Sequence, residues 1–174
     1  MIVIEPAIEA KFGRAGLKKS RLTTFLSTAK KEAGLEGAVS VLLTGDAEIR
    51  KLNREFRHKD KATDVLSFPA PETTGRTKLA GDLAVSVETA DREAETRGHA
   101  LVLELQVLLL HGILHLAGYD HETDNGEMAR KEESLRRKLG LNQGLIARTG
   151  DGHPSAKKAA KKAPAKSPKG SRKP

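Results

Sequence analysis

The sequence has no cysteine and no tryptophan, and its aromatic residues, one Tyr and four Phe, make up 3% of 174 residues. Without cysteine there is no disulfide and no thiolate ligand, so any bound metal must be held by His, Asp or Glu. The absence of disulfides fits a reducing compartment. With so few rings, the core must be packed from Leu, Val, Ile and Ala.

Long hydrophobic runs are missing too. Residues 1–4 are apolar, but Glu5 and Pro6 end the run before the apolar stretch of a secretory signal could form. The longest apolar segment, about 100–116, contains Glu104, Gln106, His111 and His115. It is too short and too polar for a membrane span and reads as a buried helix. A cytoplasmic location is expected.

Charge is present but unevenly placed. The formal net charge is +8, of which residues 149–174 carry +7, leaving +1 for residues 1–148. The end of the chain, "SAKKAAKKAPAKSPKGSRKP", is low-complexity Lys, Ala, Pro and Ser with almost nothing to bury, so a disordered basic tail is expected over 149–174. Such a polycation either adds non-specific RNA affinity by releasing counterions or serves as a solubilising extension. Residues 1–148 form the expected single domain.

Within that domain the pattern alternates. Strands are predicted at 1–4, 38–44, 64–69 and 81–88, the last two separated by a Pro-, Gly- and Thr-rich loop. Helices are predicted at 15–33, from Gly45-Asp46 onward, and at 89–97, 100–116 and 126–139. The second of these carries Ile49, Leu52 and Phe56 on its apolar face, and the last carries Met128, Leu135 and Leu139. About four strands and five helices in this order predict a mixed α/β (α+β) layered fold.

Three of the six histidines fall within "HGILHLAGYDH", residues 111–121. His111 and His115 are four apart on a helix, so their rings project from one face a turn apart. Gly118 lacks a Cβ and can take the positive φ that ends a helix and reverses the chain. His121 then returns as a third ligand on the following strand. Three neutral imidazoles would leave a fourth position open, the layout of a catalytic rather than a structural zinc site. Burying two imidazoles in a Leu- and Val-rich helix without a metal would leave polar atoms unpaired.

The spacing H-x-x-x-H-x-x-G-x-x-H matches the three-histidine pattern of metzincin peptidases, a metalloprotease-like metal site. Those enzymes need a Glu directly after the first His as general base. This chain has Gly112 there, so the ligand set points to a hydrolase and the missing carboxylate points away from peptides.

Upstream, "LNREFRHKDKATDVLSFP" (52–69) is rich in basic residues. Between Arg50 and Lys61 six cations (Arg50, Lys51, Arg54, Arg57, Lys59, Lys61) meet only Glu55 and Asp60. Part of this excess offsets a helix C-terminus. A second run, Arg14, Lys18, Lys19, Arg21, Lys30 and Lys31, either extends an RNA track or is the wet face of a helix, and the second reading is preferred.

Together with "LAGDLAVS" (79–86) and "GEMARKEESL" (126–135), these motifs resemble the YbeY family of bacterial ribosomal RNA maturation endoribonucleases. The resemblance covers roughly residues 2–140 and leaves out the tail. Phe56 stands where the family usually has Tyr, and Ala62 where Pro is common.

The resemblance implies a metal-dependent, single-strand-specific endoribonuclease acting in 16S rRNA 3′-end maturation and ribosome quality control. Its partners would be single-stranded RNA, ribosomal RNA and ribosomal particles. It implies one zinc ion on His111, His115 and His121, and a functional arginine at Arg57. A guanidinium fork suits that last role, because it can hold a phosphate bidentately while charge builds on it.

Asp120 and Glu122 flank His121 and are candidates for a general base, for orienting the ligands, or for plain surface residues. Whether water or the RNA 2′-OH attacks, and whether zinc or another divalent ion such as nickel is held, stays open at this level. The shortage of aromatics argues against base stacking as the main grip on RNA. The alternative readings are a metal-binding ribosome assembly factor with little catalysis and, behind it, a metzincin-like peptidase.

Overall fold

The computed structural model describes residues 1–13, 17–71, 78–121 and 123–141. The expected tail over 149–174, the end of the domain at 148, Arg14, Glu122 and most of the Thr-rich loop lie outside the described residues.

Four strands form one mixed sheet in the order β1-β2-β4-β3. β1 (Ile2–Ile4), β2 (Ala38–Thr44) and β4 (Leu79–Ser86) run parallel, and β3 (Val65–Pro69) pairs antiparallel with β4 at the edge. The helices are α1 (Pro6–Phe12), α2 (Lys19–Ala33), α3 (Asp46–Arg57), α4 (Val87–Arg97), α5 (Leu101–Leu116) and α6 (Glu127–Lys138). The mixed α/β class and its four strands are as expected.

α1 is a helix that the sequence reading misses, because Pro6 is taken there only as a terminator. Proline is equally suited to the first turn, where its missing N–H has no intrahelical partner to lose. Ile8 and Phe12, four residues apart, bury the helix against the sheet.

The two faces of the sheet follow the two-residue period of strand side chains. Val41, Leu43, Leu83 and Val85 point into the main core, built with α1, α2, α4, α5 and α6. Leu42, Leu66, Phe68 and Ala84 point the other way and are covered by Ile49 and Leu52 of α3. α3 and α5 thus lie on opposite faces, and the free edge of β3 runs between them.

α5 is the centre of the main core and is apolar almost all round, as a buried helix must be. Its buried polar residues are Gln106 and Glu104, the latter an acid 2% exposed. That carboxylate accepts from Arg97 and pairs with His99 Nε2 at 2.6 Å, fixing the 116° bend between α4 and α5. Among the described residues no single helix is long and apolar enough to cross a membrane.

Phe56 departs from expectation. Ile49 of the same helix is fully buried, but Phe56 is 55% exposed, its ring edge-on to that of Phe68. α3 ends one residue later, capped by His58 in the left-handed region (φ 57°).

Candidate metal centre

The last turns of α5 and the loop that follows bring His111, His115 and His121 together. Their ligand nitrogens all lie within 4.8 Å of one another, and no other described group of His and carboxylates is placed to share an ion. His111 and His115 project from one helix face, with ring centroids 4.7 Å apart. Gly118 makes the reversal: at φ 90° its N–H bonds to the His115 carbonyl, and Tyr119 N–H bonds to the Leu114 carbonyl. His121 then arrives in a turn, not on a strand, because the chain from 117 to 126 connects α5 directly to α6. Its centroid is 5.5 Å from that of His111 and 5.2 Å from that of His115.

The outer nitrogens decide what the inner ones can do. His111 Nδ1 lies 3.1 Å from Glu132 Oε2 of α6. Burial pushes the Glu132 carboxyl up, but the His111 hydrogen bond and the Arg136 charge outweigh it and hold it below the ordinary value. An ionised carboxylate only accepts, so Nδ1 is the donor and Nε2 keeps a lone pair.

The Nε2 atoms of His111 and His115 lie 3.1 Å apart, close enough for one ring to donate to the other or for both to share a cation. Tetrahedral coordination with bonds of about 2.0–2.1 Å sets ligand nitrogens roughly 3.3 Å apart, close to the separation of this pair. Burial, followed by the charges of His111 and His121, pulls the His115 pKa down, which favours the neutral form a metal requires. The donor set fits a single divalent metal ion.

Gly112, between the two helical histidines, faces the sheet. A Cβ there would sit 2.7 Å from Leu83 Cδ2 and 3.3 Å from Ser67 Oγ. A side chain here would have to displace Leu83 and Ser67, so the position where a metzincin carries its general base is taken up by contact with the sheet.

Arg57 is brought to the same neighbourhood from the other side of the sheet. Its guanidinium donates to the Ser67 carbonyl at 2.9 Å, at the free edge of β3. Ser67 Oγ faces Gly112 across the interior. The edge of β3 thus connects the end of α3 to the helix bearing the histidines.

The other expected cations divide into two sets. Arg50 makes a bidentate pair with Asp60 at 2.8 and 2.9 Å, Arg54 lies 3.8 Å from the same carboxylate, and Lys51 pairs with Glu48. Arg57, Lys59 and Lys61 make no ion pair among the described residues. In the second run, Lys18, Lys19, Arg21 and Lys31 are exposed, as a wet helix face would be.

Asp120 is half-buried and accepts from Thr123 Oγ1 at 3.2 Å. It lines an open cleft of about 950 Å³ that adjoins the histidines without containing them. Glu36, Asp120, Asp124 and Glu127 line this cleft against Lys78 alone, so its walls are acidic.

Glu132 is the functional position that sequence reasoning passes over. The signal is there: on α6 it lies between Met128 and Leu135 at helical spacing, an acid on the buried stripe.

A family profile described as Endoribonuclease YbeY matches residues 11–140. A protein of that name from Koribacter versatilis is 53% identical over 148 residues, covering 85% of this chain and 93% of its own. One from Solibacter usitatus is 48% identical over 134 residues, 77% of this chain and 88% of its own. A chloroplastic relative from Arabidopsis thaliana, also named an endoribonuclease, is 44% identical over 138 residues, 75% of this chain and 24% of its own.

Proposed function

The chain belongs to the Endoribonuclease YbeY family, a hydrolase acting on RNA, and from that premise we propose that it is a zinc-dependent, single-strand-specific endoribonuclease. In this reading it acts in 16S rRNA 3′-end maturation and ribosome quality control, in the cytoplasm and on ribosomal particles. His111, His115 and His121 hold the metal, and Arg57 is the catalytic group. The observation that carries the proposal is the pair of Nε2 atoms 3.1 Å apart on one helix face, with the third imidazole beside them.

When bound, a zinc ion supplies Lewis-acid polarisation of a phosphoryl oxygen or of water. The protein does the rest. Glu132 holds the His111 ring in the tautomer that leaves Nε2 available. The Arg57 guanidinium, steadied by the Ser67 carbonyl, keeps other N–H groups to hold the scissile phosphate and offset its developing charge. Lys59 and Lys61 extend the positive potential for the strand. The Lys-rich tail adds sequence-independent affinity.

Elemental analysis combined with cleavage of a single-stranded RNA is the test, for wild type, His115→Ala and Arg57→Ala. His115→Ala should lose both metal and cleavage. Arg57→Ala should keep the metal and lose cleavage. Full RNA cleavage by metal-free protein would overturn the reading.

A further inference from the structure

We propose that Phe56 is a stacking platform for one unpaired base of the RNA strand whose phosphate Arg57 holds. The inference rests on the reading of Arg57 given above.

Three observations lead to it. Phe56 is 55% exposed, in a chain with only five aromatic residues, and its ring is fixed edge-on against Phe68 at 5.2 Å and 70°. The contacts of this corner also come in step. Phe56 meets Phe68 while its neighbour Arg57 meets Ser67, so two consecutive residues of α3 hold two consecutive residues of β3. The ring and the guanidinium are therefore held in one rigid relation to each other. Finally, the nearby cations without a carboxylate partner among the described residues, Arg57, Lys59 and Lys61, are those at this end of α3.

An aromatic face beside cations that can take phosphates is the arrangement that grips a single strand. It also discriminates by structure. In a duplex both faces of a base are covered by its neighbours, so a ring at this position can stack only on a base that is unpaired or at an end. The composition argues against stacking as the main grip, and nothing here reverses that: one ring serves one base.

The sequence offers a clean reporter, since there is no Trp in it. Phe56→Trp, mixed with a single-stranded RNA oligonucleotide in the presence of chelator, should show quenched emission on binding. An oligonucleotide with one abasic nucleotide, moved stepwise along the strand, should lose that quenching at a single register.

In steady-state cleavage, Phe56→Leu keeps Phe68 covered but removes the ring face. It should raise KM about ten- to a hundred-fold, with the effect carried by KM rather than kcat, and Phe56→Tyr should restore it. Wild type should be weakened to the same degree by the abasic nucleotide, and Phe56→Leu should be indifferent to it. Equal KM for wild type and Phe56→Leu with an unchanged abasic penalty would overturn the proposal. An inactive wild type, or an Arg57→Ala that cleaves normally, would instead sink the reading on which it rests.

Discussion

Glu132 of α6 holds Nδ1 of His111 at 3.1 Å, and Arg136 one turn further along holds Glu132 in turn. A carboxylate in this position fixes the ring's tautomer and orientation, and it raises the basicity of the nitrogen that faces the ion. Glu132→Gln should therefore lower metal affinity by about 10–100-fold. Competition with a chromophoric zinc chelator measures this directly. Cleavage should fall with metal occupancy and recover at high zinc, whereas a purely structural role would not be rescued by added metal.

Gly112 is required by close approach. Placing a Cβ 2.7 Å from Leu83 Cδ2 forces α5 away from β4 or Leu83 out of its rotamer. Gly112→Ala should lower stability by about 1–3 kcal/mol, the usual range for overpacking a filled core. Because His111 is the preceding residue, metal affinity should fall in the same variant. A thermal melt and a zinc titration check the two effects, and a Gly112→Ala protein that melts and binds as wild type would remove the steric argument. Gly112→Glu should be worse on both counts and should gain no peptidase activity.

The histidine site was legible because its spacing is local. Residues at i and i+4 and a glycine reversal occupy eleven consecutive positions, so helix geometry alone brings the rings together. The strands and most helices were legible from period, with ends within a few residues. What the sequence does not display is long-range pairing. The order β1-β2-β4-β3, which leaves β3 as a free edge for Arg57, depends on contacts between distant segments.

Glu132 was missed for the same reason, since its partner is 21 residues away. α1 was missed because proline serves both to end and to start helices. Phe56 fits the apolar stripe of its helix, but only the sheet's width shows that the stripe outruns what covers it.

Asp46 ties α3 to α4 at the ends of β2 and β4. Its carboxylate accepts from Ser86 Oγ, from Thr89 Oγ1 at 2.7 Å and from Arg92 at 2.8 Å. Burial pushes its pKa up, but the hydrogen bonds from Ser86, Thr89 and Arg92 outweigh this and leave it below the ordinary 3.8. A carboxyl with a depressed folded-state pKa contributes stability above the unfolded value, and that contribution is lost as pH falls toward the folded one. Asp46→Ala should then cost about 2 kcal/mol near neutrality. The gap in Tm between wild type and variant should be constant from pH 7 to 5 and should narrow below about pH 4. A gap that widens with acidification would mean that Asp46 is not held as the ion.

Arg57 separates charge from geometry. Its guanidinium donates to the Ser67 carbonyl at 2.9 Å and still has N–H groups left for a phosphate, which a single ammonium cannot reproduce with the same directionality. Arg57→Lys should keep most of the electrostatic attraction for RNA, so binding and its salt dependence should change little. Cleavage should nonetheless fall by about 10²–10³, the usual scale for removing one positioned donor from a developing charge. Arg57→Ala should lose a similar factor in rate and some binding as well. RNA affinity by anisotropy and single-turnover cleavage, each across a salt series, resolve the two quantities. If Arg57→Lys cleaves as fast as wild type, the residue acts as a point charge in binding, and the transition-state role assigned to its fork is wrong.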